Sequence, residues 1–180
     1  MSMDASVKPA VSGLESRSAV LAATAIAVIG LATIAGAWFF QLVLDIRPCP
    51  LCLEQRYAYY LAIPLAVLVA FVAKQGAARP LLIGGFVILA LALLANAGLG
   101  GYHAGVEWGF WPGPTECTGS AVDLGSAGSL LEQLDKVKVI RCDEVQWRFL
   151  GISLAGYNVL ISLLMAAFAL WGLRASLRRA

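Results

Sequence analysis

Four stretches of this chain are long enough and free enough of charge to cross a lipid bilayer, and this restricts the fold more than any other feature. Residues 18–40 carry no charged side chain, and a helix of about 20 apolar residues crosses ~30 Å of hydrocarbon. Residues 57–73, 80–101 and 150–173 repeat the pattern. Within hydrocarbon each backbone N–H and C=O needs an internal partner, so an uncharged run of this length crosses as a helix. The expectation is an all-α membrane protein, a four-transmembrane-helix bundle. Composition agrees. The chain is 60% hydrophobic and 13% charged with a mean hydropathy of +0.80, whereas soluble domains are roughly half apolar and a quarter charged. There is no phosphate-binding loop, repeat or long basic run, so nucleic acid is not an expected partner.

The polar segments divide accordingly. Residues 1–17 read as a short tail, residues 41–56 and 102–149 as loops on one face, and residues 174–180 as a basic tail. A cleaved signal peptide is the rival reading of the first run, because Ala35-Gly36-Ala37 resembles a cleavage site. The run is longer than a signal core and three more follow, which favours an uncleaved span. Four spans bring both termini to one side. That side, with the turn between the second and third spans, holds Lys8, Arg17, Lys74, Arg79, Arg174, Arg178 and Arg179 against Asp4 and Glu15. The positive-inside rule makes it cytoplasmic. All four cysteines then lie on the opposite face, which in a bacterium is the periplasm, where disulfides persist.

Proline marks the span boundaries. Pro48 and Pro50 disfavour helix around the first cysteines, Pro64 is expected to kink the second span, and Pro80 opens the third. Asn96, Gly98, Gly100 and Gly101 should let neighbouring helices approach closely. In the long loop, Ser129-Leu-Leu-Glu132 fits a capping box. Leu130, Leu131, Leu134 and Val137 recur at helical spacing, which predicts a short periplasmic interfacial helix. A small helix packed on its own loop fits that pattern equally well.

The chemistry concentrates in Cys49-Pro50-Leu51-Cys52 and the Leu53-Glu54-Gln55-Arg56 that follows. Two cysteines at this spacing can close a small disulfide or share a metal. Arg56 lies four residues beyond Cys52, on the same face of any helix that begins there. A helix N-terminus and a nearby cation both favour the reactive thiolate. Cys117 and Cys142 make a second pair, and four cysteines allow three pairings. Structural staples are one reading, although a disulfide across so short a loop removes little unfolded-state entropy. A zinc site is another, but Cys117 and Cys142 supply no second Cys-x-x-Cys, and no metal is expected. The third is a thiol–disulfide relay. A pair lying against the bilayer would pass electrons to a lipid-soluble quinone, with Arg56 as the cation for its oxyanion and His103, the single histidine, as a hydrogen-bond or proton donor. The plainer readings are a snorkelling helix-end arginine and an interfacial histidine bonded to backbone.

These residues carry a resemblance. Cys49-x-Leu51-Cys52-x-x-Gln55-Arg56, Tyr102-His103, Cys117 and Cys142-x-x-x-Gln146-Trp147-x-Phe149-Leu150-Gly151 are similar to the motifs of the disulfide bond formation protein B (DsbB) family, over residues 18–173. The resemblance implies an inner-membrane oxidoreductase that reoxidises a periplasmic thioredoxin-like (DsbA-like) dithiol oxidase and passes electrons to ubiquinone or menaquinone. It implies that the partner's thiolate attacks Cys117, that the released Cys142 attacks Cys49, and that Cys52 faces the quinone beside Arg56 and His103. Pro50 should stiffen the pair, and Glu54 should oppose Arg56 electrostatically. The reading from another class is a non-catalytic membrane assembly protein whose cysteines are structural disulfides.

Overall fold

The computed structural model describes residues 7–114 and 141–178. Four long helices account for most of them: α1 (Val7–Leu42), α2 (Pro50–Lys74), α3 (Arg79–Glu107) and α4 (Leu154–Arg178). Each contains a membrane-spanning candidate of at least 25 residues, about 37 Å of helix at 1.5 Å per residue. The expected bundle is therefore present. Cys117 and the expected interfacial helix around residues 130–137 lie outside the described residues.

The helices form a closed ring in which α1 packs on α2 and α4, and α3 packs on α2 and α4. Small side chains fill the interfaces. Ala62, Ala66 and Ala73 recur along one face of α2, and Ala19, Ala22 and Ala23 along α1, all buried. Close approach replaces hydrophobic collapse as the source of cohesion when the solvent is itself apolar. The large apolar side chains Leu31, Leu68, Phe71 and Leu91 point outward, as lipid contact requires. Among the expected close-approach residues, Gly100 does meet α4: a Cβ there would lie 2.8 Å from Asn158 Nδ2. Gly98 and Gly101 have open space instead. Asn96 is buried, and its Nδ2 donates to Ser162 Oγ at 3.0 Å and Asn158 Oδ1 at 3.3 Å. Tyr59 Oη donates to the same Asn158 oxygen at 2.6 Å. A polar knot thus ties α2, α3 and α4 in the half of the bundle nearer the cysteines.

Element boundaries differ from the sequence expectation in three places. α1 begins at Val7, within residues expected to be a tail; Pro9 falls in its first turn, where a missing N–H costs nothing. α2 begins at Pro50, within the expected loop, because Pro50 occupies that same kind of position while Cys49 supplies the cap. The helix continues through Pro64. At the fourth span, residues 148–153 form a hairpin, with β1 (Arg148–Phe149) antiparallel to β2 (Ile152–Ser153) and Arg148 opposite Ser153. Its two-residue turn, Leu150 and Gly151, has φ of 48° and 81°, the doubly positive pattern that matches strand twist. α4 therefore starts at Leu154.

The ends of α1 and α3 and the starts of α2 and α4 lie at one end of the bundle. At the other end, Arg79 Nη2 donates to the Leu177 carbonyl, joining the start of α3 to the end of α4.

Candidate functional site

Cys49 is the N-cap of α2, with extended backbone (φ −73°, ψ 166°) and a sulfur that accepts the Cys52 N–H at 3.2 Å. Capping turns the Cys49 side chain back over the first turn, and the Cys49 and Cys52 sulfurs come to 2.7 Å. Both are free thiols. A disulfide bond is ~2.05 Å long, so closing one here requires less than ~1 Å of movement. Cys49 donates its hydrogen to Cys52; that bond, and then burial, push the Cys49 thiol well above its ordinary range.

Cys142 is disulfide-bonded and buried beside Cys49, Leu51 and Val106. The Cys49 sulfur, the Cys142 sulfur and a ring nitrogen of His103 all lie within 4.8 Å of one another. Such a trio resembles a metal site, but a disulfide sulfur is not a thiolate ligand. The same closeness is what thiol–disulfide exchange demands, because one sulfur must reach another in line. The structure thus brings Cys142 from the long loop to the Cys-x-x-Cys.

His103 sits on the last turns of α3 and is buried. Its Nε2 lies 3.6 Å from Cys49 Sγ and its Nδ1 2.9 Å from Gln55 Nε2. The ring does bond to backbone, at Cys142, as the plainer reading expected, but it is also held between a sulfur and a glutamine of α2. Glu107, one turn further along α3, places Oε1 4.0 Å from His103 Nε2, and Ser153 Oγ donates to its Oε2. Ser153 Oγ also accepts the Gly156 N–H, capping α4.

Arg56 also differs from a snorkelling charge. Its Nη1 donates to Gln41 Oε1 at 2.7 Å, its Nη2 reaches the Ala37 carbonyl at 3.4 Å, and its Cζ lies 5.5 Å over the Trp38 ring. Among the described residues no carboxylate pairs with it. Neutral oxygens thus orient a cation whose charge is left uncompensated yet reaches Cys52. Glu54, expected to oppose it, is exposed; the carboxylate whose field reaches both sulfurs is Glu107.

Cys49, Cys52, Arg56, His103 and Glu107 share one cavity of about 390 Å³. Apolar side chains of α1 and α4, including Ile34, Phe40 and Ile161, line much of the rest, and Arg47, Arg141, Glu144 and Gln146 border it as well. Phe40 packs on Trp147 at 5.0 Å between ring centroids, and Trp147 stacks on Phe149 at 5.9 Å, so the hairpin roofs the outer side. The volume is within the range of small-ligand sites. A flat apolar ring with polar oxygens fits a chamber that is greasy on two sides and carries two thiols and a cation with no carboxylate partner among the described residues.

Sequence reasoning missed three participants. Gln55 lay inside the quoted motif without a role. Glu107 could have been found from its i,i+4 spacing to His103. Gln41 carried no sequence signal, because its link to Arg56 crosses between helices.

The family model described as "Disulfide bond formation protein DsbB" matches residues 17–172. "Disulfide bond formation protein B" of Aromatoleum aromaticum is 34% identical over 73% of this chain and 78% of its own length. The protein of that name from Nitrosococcus oceani is 30% identical over 75% and 79%. "Disulfide bond formation protein B 1" of Pseudomonas fluorescens strain Pf0-1 is 36% identical over 47% of each chain. No solved structure matches.

Proposed function

The chain belongs to the disulfide bond formation protein DsbB family, and from that premise we propose that it reoxidises a periplasmic thioredoxin-like dithiol oxidase and passes the electrons to a membrane quinone, ubiquinone or menaquinone. The observation that carries the reading is the sulfur geometry: Cys49 lies 2.7 Å from Cys52 and within 4.8 Å of the disulfide-bonded Cys142. One sulfur within reach of both pairs is the minimum requirement of a relay.

The sequence of steps follows from thiol chemistry. A thiolate of the water-borne partner attacks Cys117, the expected partner of Cys142, and Cys142 leaves as a thiolate. Exchange between Cys142 and the Cys49–Cys52 pair then hands two electrons inward. Cys52 receives them facing the cavity, where the N-terminus of α2 and Arg56 stabilise negative charge. A bound quinone would supply a two-electron, two-proton acceptor. Arg56 would orient its oxygen, the walls of α1 and α4 would hold the ring, and the Phe40–Trp147–Phe149 stack would exclude water. The face bearing the cysteines is the periplasmic side of the inner membrane in this reading, with both termini in the cytoplasm.

Purified protein in detergent with a short-chain quinone tests this. It should oxidise a reduced thioredoxin-like partner catalytically, and Cys52→Ser should abolish turnover while a Cys49–Cys142 disulfide accumulates on non-reducing peptide mapping. Absence of turnover in the unaltered protein would return the chain to the class of structural membrane proteins.

A further inference from the structure

Oxidation of two thiols by a quinone moves protons as well as electrons. Two S–H bonds break, one S–S bond forms, and the two electrons and two protons released end on the quinone oxygens. Cys52 borders the cavity, so its own proton can pass to the quinone directly. Cys49, 2% exposed, must give up its own proton while its sulfur bonds to Cys52. A group that holds that proton for the interval is required, and it must touch the cavity.

Glu107 meets the requirement. Its side chain is 5% exposed, it lines the cavity with both thiols, and it lies 4.0 Å from the ring nitrogen that is 3.6 Å from Cys49 Sγ. A carboxyl group so buried, at the end of a membrane-spanning helix, is expensive and is a functional candidate by default. Ser153 holds one of its oxygens and leaves the other turned to His103. The other ionisable groups facing it are few: Arg148 of β1 acts on it through space, and Arg47, Arg56, Arg141 and Glu144 border the same cavity.

We propose that Glu107 is the proton store of the site, accepting the Cys49 proton as the Cys49–Cys52 bond closes and delivering it to the reduced quinone, while His103, whose Nδ1 accepts from Gln55 Nε2 and whose Nε2 therefore carries the ring hydrogen, stands as a donor beside the Cys49 sulfur and the carboxylate. The proposal rests on the quinone-reducing reading above. The store ends each cycle as it began, so atoms and charges balance.

The test uses full-length protein and the variants Glu107→Gln and Glu107→Asp. With quinone absent, pre-reduced protein is oxidised by ferricyanide, and the infrared difference spectrum is recorded. The unaltered protein should show a change in a protonated-carboxyl band that is missing in Glu107→Gln and shifted in Glu107→Asp. With a short-chain quinone, Glu107→Gln should reduce it about tenfold more slowly near neutral pH. The deficit should shrink as pH falls and bulk protons substitute. Glu107→Asp should recover most of the rate. An unchanged pH profile in Glu107→Gln with no carboxyl band in the unaltered protein would overturn the proposal, as would equal loss at all pH values in both variants. If the unaltered protein fails to reduce quinone while the carboxyl band is present, the quinone reading falls and the proton store stands.

Discussion

Arg56 of α2 is anchored to Gln41 of α1, with Nη1 donating to Oε1 at 2.7 Å. The contact joins the helix that carries the thiols to the helix that forms the apolar wall, and it aims a guanidinium without neutralising it. Replacing Gln41 by Leu removes a hydrogen bond to a charged group, worth about 1.5–3 kcal/mol, and frees Arg56 to rotate. The expected result is a quinone KM raised at least about tenfold. Gln41→Glu should raise KM as well, because an ion pair would spend the charge that Arg56 reserves for the ligand. Steady-state kinetics with varied quinone decide it; an unchanged KM in both variants would remove Gln41 from the site.

The two thiols of the pair should differ sharply towards alkylation. Cys49 gives its hydrogen to Cys52 and is 2% exposed, and its thiol is pushed up on both counts. A thiol with a raised pKa is protonated, and unreactive, throughout the range below that value. Iodoacetamide added to reduced protein should therefore label Cys52 first, and raising the pH through the ordinary thiol range should add little label at Cys49. Peptide mass spectrometry reads the ratio. Replacing Cys52 by Ser removes the sulfur that receives the bond and should bring Cys49 labelling to lower pH.

Close helix contact makes a second pair of residues informative. A Cβ on Gly172 would lie 2.3 Å from the Phe86 ring, whereas one on Gly98 would meet nothing within 4 Å. Overpacking a filled interface costs about 1–3 kcal/mol. Gly172→Ala should lower the thermal midpoint measurably, while Gly98→Ala should hold or raise it, since Ala outranks Gly in a helix by ~1 kcal/mol. Melting in detergent, followed by circular dichroism, distinguishes the two.

The hairpin that roofs the cavity stores a small strain. Leu150 has φ of 48°, a left-handed conformation that costs an L-residue with a Cβ roughly 1–2 kcal/mol. Leu150 is also highly exposed, so little packing is lost on replacement. Leu150→Gly or Leu150→Asn should stabilise the turn by up to about 1 kcal/mol, seen as slower amide exchange at Phe149 and Ile152. Faster exchange in both variants would show that the exposed leucine holds the turn by a contact outside the chain.

What the residues alone determined is the solvent and the chemistry class. Uncharged runs can satisfy their backbone only as spanning helices, so the four-helix bundle was legible from residue 18 onward. Cys49-x-x-Cys52 with Arg56 pointed to redox work because spacing along one chain segment is a local property. Helix ends are less legible: by sequence Pro50 disfavours helix, yet Pro is equally at home in a first turn, and only the Cys49 cap decides between them. The pairings across the bundle needed the tertiary structure. Which sulfur Cys142 approaches, that Gln55 holds His103, that Gln41 aims Arg56 and that Glu107, not Glu54, carries the carboxylate felt by both thiols all depend on which helix faces which. Periodicity fixes a face on each helix but not the neighbour that face will meet, because in lipid every apolar face is equally satisfied, and close packing with a few buried polar contacts makes the choice.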